Sequence, residues 1–176
     1  AVSGSLRQAS LNSALLRATA RLAPPGVTVR LFQGLADVPI FNPDIENPEP
    51  APVARLREQV LAADALIIAS PEYAHGITGV LKNALDWLVS SEAFINKPVA
   101  LFNASPRSVH AAASLREVVG VMSARVVDAS CIVVPLGGSG LDEWGIDADP
   151  AMSAAVRRAL AALSGAVVEF RRSDAF

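Results

Sequence analysis

Residues 65–88 read ALIIASPEYAHGITGVLKNALDWL, an apolar run, a polar loop and an amphipathic segment in direct succession. The run 65–69 lacks polar alternation, which is typical of a strand buried on both faces of a parallel sheet. In the segment 79–89, Leu81, Leu85 and Leu88 fall on one face of a helix. A buried strand that leads through a short loop into an amphipathic helix predicts an α/β fold with right-handed crossovers.

The same alternation extends in both directions along the chain. The sequence predicts further strands at 27–32, 99–103 and 130–136, and further helices at 10–22, 52–63, 111–122 and 150–163. Ser10 and Asp149 are the N-caps expected for the first and last helices, and we expect Gly165 to interrupt the last one. Because Ala1 and Val2 stand directly before a loop and a helix, we expect most of the first strand to be absent from this sequence. The length predicts one domain over residues 1–176.

The composition excludes several classes of protein. Hydrophobic residues make up 52% and charged residues 18% of the chain, which excludes a disordered chain. A net charge of −2 argues against nucleic acid as a partner, and the apolar runs are too short to predict a membrane span. The single cysteine, Cys131, excludes a disulfide framework and predicts a cytoplasmic protein. With two histidines and one cysteine, the sequence predicts no metal site.

The stretch GSLRQASLN, residues 4–12, offers donors for an anion. Ser5 and Ser10 supply hydroxyls, Arg7 a guanidinium and Asn12 an amide, and they stand where a helix begins with unpaired backbone N–H groups. An equally good interpretation is a serine-capped helix after a glycine turn. The stretch has neither the three glycines of a dinucleotide fingerprint nor the Gly-Lys-Ser/Thr end of a Walker loop. We therefore expect any phosphate here to be held differently from those two motifs.

The loop SPEYAHG, residues 70–76, has a second unusual composition. Pro71 restricts the backbone conformation and Gly76 permits conformations that other residues avoid. Tyr73 offers an aromatic face at the edge of the sheet. Backbone N–H groups in such a loop suit a flat polar ring. The alternative is that Pro71 simply ends the strand and that Tyr73 packs against a neighbouring subunit.

Together, residues 4–12 and 70–88 resemble the NADPH-dependent FMN reductase family, the flavodoxin-like group that includes chromate, quinone and azo reductases. The resemblance implies a doubly wound, five-stranded parallel sheet of order 2-1-3-4-5 with helices on both faces. It also implies FMN as the cofactor, NADPH or NADH as co-substrate, and a homodimer or homotetramer formed through the helix 79–89. In that interface we expect Trp87 to be an aromatic anchor.

The resemblance also assigns roles by position. It implies three sets of cofactor-binding residues, which are Ser5, Arg7, Ser10, Leu11 and Asn12 at the phosphate, Pro71, Glu72, Tyr73 and Ala74 at the isoalloxazine ring, and Ser105 in a third loop. His75, Arg107 and His110 are candidates for substrate contact, or else ordinary exposed loop residues. Where Ala74 stands, the family usually has asparagine, and the contact of that side chain with the flavin is lost here. Where Thr78 stands, the family usually has proline, and we expect threonine to loosen the turn into the helix.

The function implied by the resemblance is an oxidoreductase without a catalytic residue of its own. Hydride would pass from NAD(P)H through FMN to quinones, flavin, azo compounds or metal oxyanions, in a ping-pong sequence. The alternative is a flavodoxin-like electron carrier that has no substrate of its own. Such carriers are usually strongly acidic and have a threonine-rich phosphate loop, so the net charge of −2 and Arg7 favour the reductase. A third possibility is a relative that has lost its flavin, as the changes at Ala74 and Thr78 would allow.

Overall fold

The apolar runs of the sequence pair side by side in one sheet. A computed structural model describes residues 1–173. Its five strands are β1 (Val2–Ser3), β2 (Leu66–Ala69), β3 (Pro98–Asn103), β4 (Arg125–Val126) and β5 (Ile132–Val133). All of their pairings are parallel, and every residue of β2 and β3 is buried. The sheet is therefore of the doubly covered kind that the apolar runs predict.

The order of the strands agrees in part with the predicted order 2-1-3-4-5, and two of the predicted strands differ from their expected form. β1, β2 and β3 are neighbours, and both β4 and β5 pair with β3, at its two ends. A 3₁₀ turn at Asp128–Ser130 separates β4 from β5, so the predicted strand 130–136 is in fact the second half of an interrupted strand.

The predicted strand 27–32 is not a regular strand, which corrects that expectation. It nevertheless lies beside β1, since the Ala1 amino group donates to the Arg30 carbonyl at 2.6 Å and the Phe32 N–H donates to the Ala1 carbonyl at 2.8 Å. β1 has only two residues, so it offers this segment a very short ladder. The segment occupies the outer position that order 2-1-3-4-5 gives to the second strand.

Six helices cover the two faces of the sheet in the part of the chain that the structure describes. They are α1 (Leu11–Arg21), α2 (Ala51–Ala62), α3 (Gly79–Leu88), α4 (Val109–Val121), α5 (Glu143–Ala148) and α6 (Pro150–Ser173). The first four match the prediction to within two residues at each end. α5 is a helix that the sequence analysis did not predict. α6 does not stop near residue 163, because an interior glycine such as Gly165 costs only about 1 kcal/mol.

A separate apolar core lies on each face of the sheet. On one face Ile68 belongs to the same cluster as Leu56 of α2 and Leu85 of α3, and on the other Ile67 belongs to the same cluster as Leu15 of α1 and Leu160 of α6. Successive strand residues thus point to opposite faces. By length and composition α6 is also the one helix within residues 1–173 that could cross a membrane, a criterion that helices of soluble cores also meet.

Candidate functional site

Three loops meet at one edge of the sheet. Loop 1 (residues 4–10) follows β1, loop 2 (residues 70–78) follows β2, and loop 3 (residues 104–108) follows β3. Because the three strands are parallel neighbours, their carboxyl ends lie at the same edge. This edge is where open α/β sheets bind ligands.

Loops 1 and 2 are joined by direct hydrogen bonds. The Gly4 N–H donates to the Ala69 carbonyl at 2.7 Å, and the buried Thr78 hydroxyl donates to the Gly4 carbonyl at 2.5 Å. A Cβ on Gly4 would lie 2.8 Å from the Ser70 hydroxyl, so the close approach requires glycine. Thr78 is also the N-cap of α3, where its side chain accepts from the Leu81 N–H at 3.4 Å. The expectation that Thr78 loosens this turn is therefore wrong.

The buried Asn12 side chain, at the start of α1, bonds to loop 3, and the buried Asn103 side chain holds loop 3 itself in place. The Asn12 side-chain oxygen accepts from the Ala104 N–H at 3.1 Å. Asn103 accepts from the Ser105 N–H at 2.9 Å and donates to the Ser108 carbonyl at 3.2 Å. The side-chain oxygen of Asn12 thus links α1 to loop 3. The backbone N–H of Asn12, in the first turn of α1, is the group that this residue can offer to a ligand.

Loop 1 presents a candidate anion site at the start of α1. The Ser10 side chain caps the helix by accepting from the Ser13 N–H at 3.3 Å. The N–H groups of Leu11 and Asn12 lie in the first turn of α1 and therefore have no intrahelical acceptor, and no acidic side chain lies in this turn. Arg7 is exposed beside it, and the Arg7 N–H donates to the Ser5 hydroxyl at 3.3 Å. The positive end of the helix dipole therefore faces outward without a neutralising carboxylate.

Loop 2 contains a tight turn with two left-handed residues. Tyr73 and Gly76 exchange both backbone hydrogen bonds at 3.1 Å, with Ala74 at φ 49° and His75 at φ 59° between them. Positive φ at both central positions is the pattern of a type I′ turn, where asparagine and glycine are preferred. The Tyr73 side chain is 62% exposed at this edge. The turn is consequently well ordered but carries strain at Ala74.

Loop 2 also contacts the start of α4. One Glu72 carboxylate oxygen accepts from the Ala111 N–H at 2.9 Å, and the His75 ring stacks on the His110 ring with centroids 4.1 Å apart. Arg107 is exposed on loop 3, where its N–H donates to the Ser105 hydroxyl at 3.3 Å. The structure thus brings the three substrate candidates to the same edge as the candidate cofactor residues.

Trp87 has a different role from the one predicted for it. Its side chain is 5% exposed, and its indole N–H donates to the Pro39 carbonyl at 2.7 Å. Its ring meets the Phe41 ring edge to face, with centroids 5.1 Å apart. Trp87 therefore anchors the loop before α2 to α3 within the chain, and the expectation of an interface anchor is wrong.

Sequence reasoning missed α5, which supports the helix of the anion site. Arg17 of α1 donates to Glu143 at 3.1 Å, and this hydrogen bond holds the pKa of Glu143 below its usual value. Arg21 of α1 pairs with Asp147 at 3.1 Å and lies 3.5 Å from the centre of the Trp144 ring. An available signal was Asp142, whose side chain caps α5 by accepting two N–H groups.

Comparison with known proteins gives a consistent set of similarities. The sequence profile of the family described as NADPH-dependent FMN reductase matches residues 1–138. An NAD(P)H-dependent FMN reductase of Pseudomonas aeruginosa is 44% identical over 107 residues, which are 59% of this chain and 57% of that protein. A quinone reductase of Escherichia coli K12 is 37% identical over 106 residues, 58% of this chain and 56% of that protein. The chain thus spans a little over half the length of these relatives.

The similarity of the fold extends further than that of the sequence. The structure of FerB, a flavoenzyme NAD(P)H:(acceptor) oxidoreductase from Paracoccus denitrificans, superposes with a TM-score of 0.85 at 24% identity. The superposition covers 96% of this chain and 95% of FerB. The doubly wound architecture is therefore common to both chains along nearly their whole length.

Proposed function

The chain belongs to the NADPH-dependent FMN reductase family, and from this premise we propose that it binds FMN and catalyses the NAD(P)H-dependent reduction of a small-molecule acceptor. The observation that carries the proposal is the convergence of loops 1, 2 and 3 at the carboxyl edge of the sheet. The bonds from Thr78 to Gly4 and from Asn12 to Ala104 fix these loops relative to one another. A site assembled before its ligand arrives loses less conformational entropy on binding.

The donors of loop 1 fit a phosphate. The hydroxyls of Ser5 and Ser10 and the backbone N–H groups of Leu11 and Asn12 would bind its oxygens at the positive end of α1. Arg7, which is exposed, adds a charge-assisted hydrogen bond. The oxygen of the Asn12 side chain is occupied by Ala104, so this residue acts mainly through its backbone.

The other two loops fit the flat ring. Pro71, Glu72, Tyr73 and Ala74 would border it with backbone groups held in place by the Tyr73–Gly76 turn, and Ser105 would approach from loop 3. When bound, FMN supplies the redox chemistry, taking two electrons from NAD(P)H and giving them to the acceptor. The chain itself would bind and orient the flavin and leave one side of its ring open to solvent.

The exposed residues of this edge determine which substrates approach. His75, Arg107 and His110 lie on it, and the positive charge of Arg107 favours anionic groups, including the 2′-phosphate of NADPH. Because both substrates would use one open side in turn, we expect ping-pong kinetics. The names of the relatives support a quinone as acceptor, and flavin, azo compounds and metal oxyanions remain in the proposal.

The rest of the proposal concerns the state of the protein. Residues 1–176 would form one domain that acts in the cytoplasm as a homodimer or homotetramer. α3 is proposed to take part in the interface through its exposed side, which includes Lys82, since Trp87 is buried within the chain.

An anaerobic titration tests the function. FMN-reconstituted protein is titrated with NADPH, and with NADH in parallel, while the visible absorption of the flavin is followed. Full bleaching at one equivalent, followed by recovery of colour when a quinone is added, is the expected result. Flavin that binds but stays oxidised would favour the electron carrier. Protein that retains no flavin would contradict the proposed cofactor.

A further inference from the structure

We propose that Glu72, His75 and His110 form a binding site for a divalent transition-metal ion of the Zn²⁺, Ni²⁺ or Co²⁺ class. One potential ligand atom of each side chain lies within 4.8 Å of those of the other two. The two imidazoles are stacked, with centroids 4.1 Å apart and planes 22° apart. This site shares none of the loop 1 donors, although Glu72 also belongs to the residues that would border the flavin ring, and its three ligands are present in the FMN-free protein.

The topology creates this cluster from residues that are remote in sequence. Glu72 and His75 belong to loop 2, which follows β2, whereas His110 lies in the first turn of α4, which follows β3. β2 and β3 are neighbours in the sheet, so the end of one and the helix after the other meet at the same edge. These two histidines are the only ones in the chain, and counting them in the sequence predicted no metal site.

The carboxylate is held in place by the protein. One Glu72 oxygen accepts from the Ala111 N–H at 2.9 Å, and the other is left for a cation. Metal-binding carboxylates are usually fixed by such a hydrogen bond, which orients the ligand before the metal arrives. The negative charge of Glu72 also offsets the positive end of α4, where a cation alone would be disfavoured.

Coordination requires the two imidazole rings to leave their stacked arrangement, because the in-plane nitrogens of nearly parallel rings do not point to one ion. Bonds of about 2.0–2.2 Å place neighbouring ligand atoms roughly 3–3.5 Å apart around a tetrahedral or octahedral ion. Ligand atoms that lie as much as 4.8 Å apart must therefore approach each other by up to about 1.8 Å, and the ring nitrogens must turn towards a common point. His75 and His110 are both exposed, so rotation about their side-chain bonds meets little packing.

The donor set selects the class of metal. Two imidazoles and one carboxylate suit Zn²⁺, Ni²⁺, Co²⁺ or Cu²⁺, whereas Mg²⁺ and Ca²⁺ prefer oxygen ligands alone. Three protein ligands leave at least one coordination position for water or for an oxygen of a small molecule. The open position would face the solvent beside loop 2, because both histidines are exposed there.

Zn²⁺ binding to tag-free protein tests the proposal. We expect isothermal titration with ZnCl₂ to give one ion per chain. In NMR spectra the ring signals of the two histidines, which cannot be confused with others, should shift together. The variants His75→Gln, His110→Gln and Glu72→Gln should each weaken binding at least about tenfold. Glutamine at position 72 retains an acceptor for the Ala111 N–H, so a folding defect is not expected.

Two control variants isolate the site. Cys131→Ser removes the single thiol, and Glu58→Gln removes an exposed carboxylate of α2, and neither should change Zn²⁺ affinity. Absence of binding at about millimolar Zn²⁺ would overturn the proposal. So would binding that survives in the His75→Gln/His110→Gln double variant, or binding that disappears with Cys131→Ser. These measurements use protein with and without FMN, so their outcome is independent of the proposed reductase activity.

Discussion

Replacing Thr78 with valine removes the contact that joins loops 1 and 2, and we expect this to destabilise the protein by about 2–4 kcal/mol. Loss of a threonine N-cap typically costs about 1 kcal/mol. The Gly4 carbonyl accepts a hydrogen bond from the buried Thr78 hydroxyl at 2.5 Å. Without that donor the buried carbonyl would be left unpaired, which costs about 1–3 kcal/mol more. Valine has nearly the shape of threonine, so the change in packing is small.

The assay is urea denaturation of FMN-free protein, followed by far-ultraviolet circular dichroism. Leaving FMN out matters because a ligand that binds only the folded state raises the apparent stability. For a domain of this size, about 2–4 kcal/mol corresponds to a fall in Tm of roughly 5–15 °C. We also expect weaker FMN binding in the Thr78→Val variant, since only the bond from the Gly4 N–H to the Ala69 carbonyl would still hold loop 1 against the end of β2.

Three matched variants separate the hydroxyl from other effects. Thr78→Ser retains the hydroxyl, so its free energy of unfolding should stay within about 1 kcal/mol of that of the natural protein. Thr28→Val changes an exposed position, so its free energy of unfolding should stay within about 0.5 kcal/mol of the same value. Thr78→Pro restores the residue that the family resemblance expects. The φ of −66° at Thr78 suits proline, but both side-chain bonds are lost, as is the bond from the Thr78 N–H to the Ser70 hydroxyl at 3.5 Å. A Thr78→Val variant as stable as the Thr28→Val variant would refute the reasoning.

Three further predictions concern single side chains. Arg7→Ala should weaken FMN binding about tenfold or more but leave riboflavin binding nearly unchanged, because only FMN carries the phosphate; fluorescence titration with both flavins checks this. Ala74→Asn should raise the free energy of unfolding by about 0.5–1 kcal/mol in urea denaturation, because asparagine tolerates φ 49° better than alanine; a loss of stability would contradict the turn geometry. The hydrogen bond from Arg17 lowers the pKa of the Glu143 carboxyl in the folded state. This pair therefore stabilises the fold at pH values above the pKa that the carboxyl has in the unfolded state. The contribution is lost as the pH falls through the lower pKa of the folded state. Stability measured from about pH 6 to pH 3 should therefore decline less in Glu143→Gln than in the natural protein, and equal slopes would show that the pair contributes nothing.

The sheet was predictable where the sequence carries an unbroken apolar run. β2 and β3 are buried along their full lengths, so each residue favours the same conformation and the same environment. The edge segment 27–32 lacks that support, because its hydrogen bonds to the neighbouring strand position are those with Ala1, just before the two-residue β1. Within residues 1–173 no further strand pairs with its outer side. Its β-branched residues predict a strand from local preference, and the missing ladder prevents one from forming.

The sequence predicts which loops form the candidate site, but it does not predict the contacts between those loops. Residue types in loops 1 and 2 indicate an anion and a flat ring, since those preferences are local. The bonds from Thr78 to Gly4 and from Glu72 to Ala111, and the stacking of His75 on His110, join segments that no periodicity relates. Only the order of the strands determines which loops become neighbours, and the sequence gives that order through the family resemblance alone.

The support of the candidate anion site comes from a part of the chain beyond the family match, which ends at residue 138. α5 lies against α1 through the ion pairs of Arg17 and Arg21, but both pairs are partly exposed and such pairs contribute little. Ile146 of α5 is fully buried in the same apolar core as Leu15 and Leu16 of α1, and this contact carries most of the support. A change at Ile146 should therefore loosen the helix whose first turn is the proposed phosphate site, without removing any of the proposed phosphate contacts.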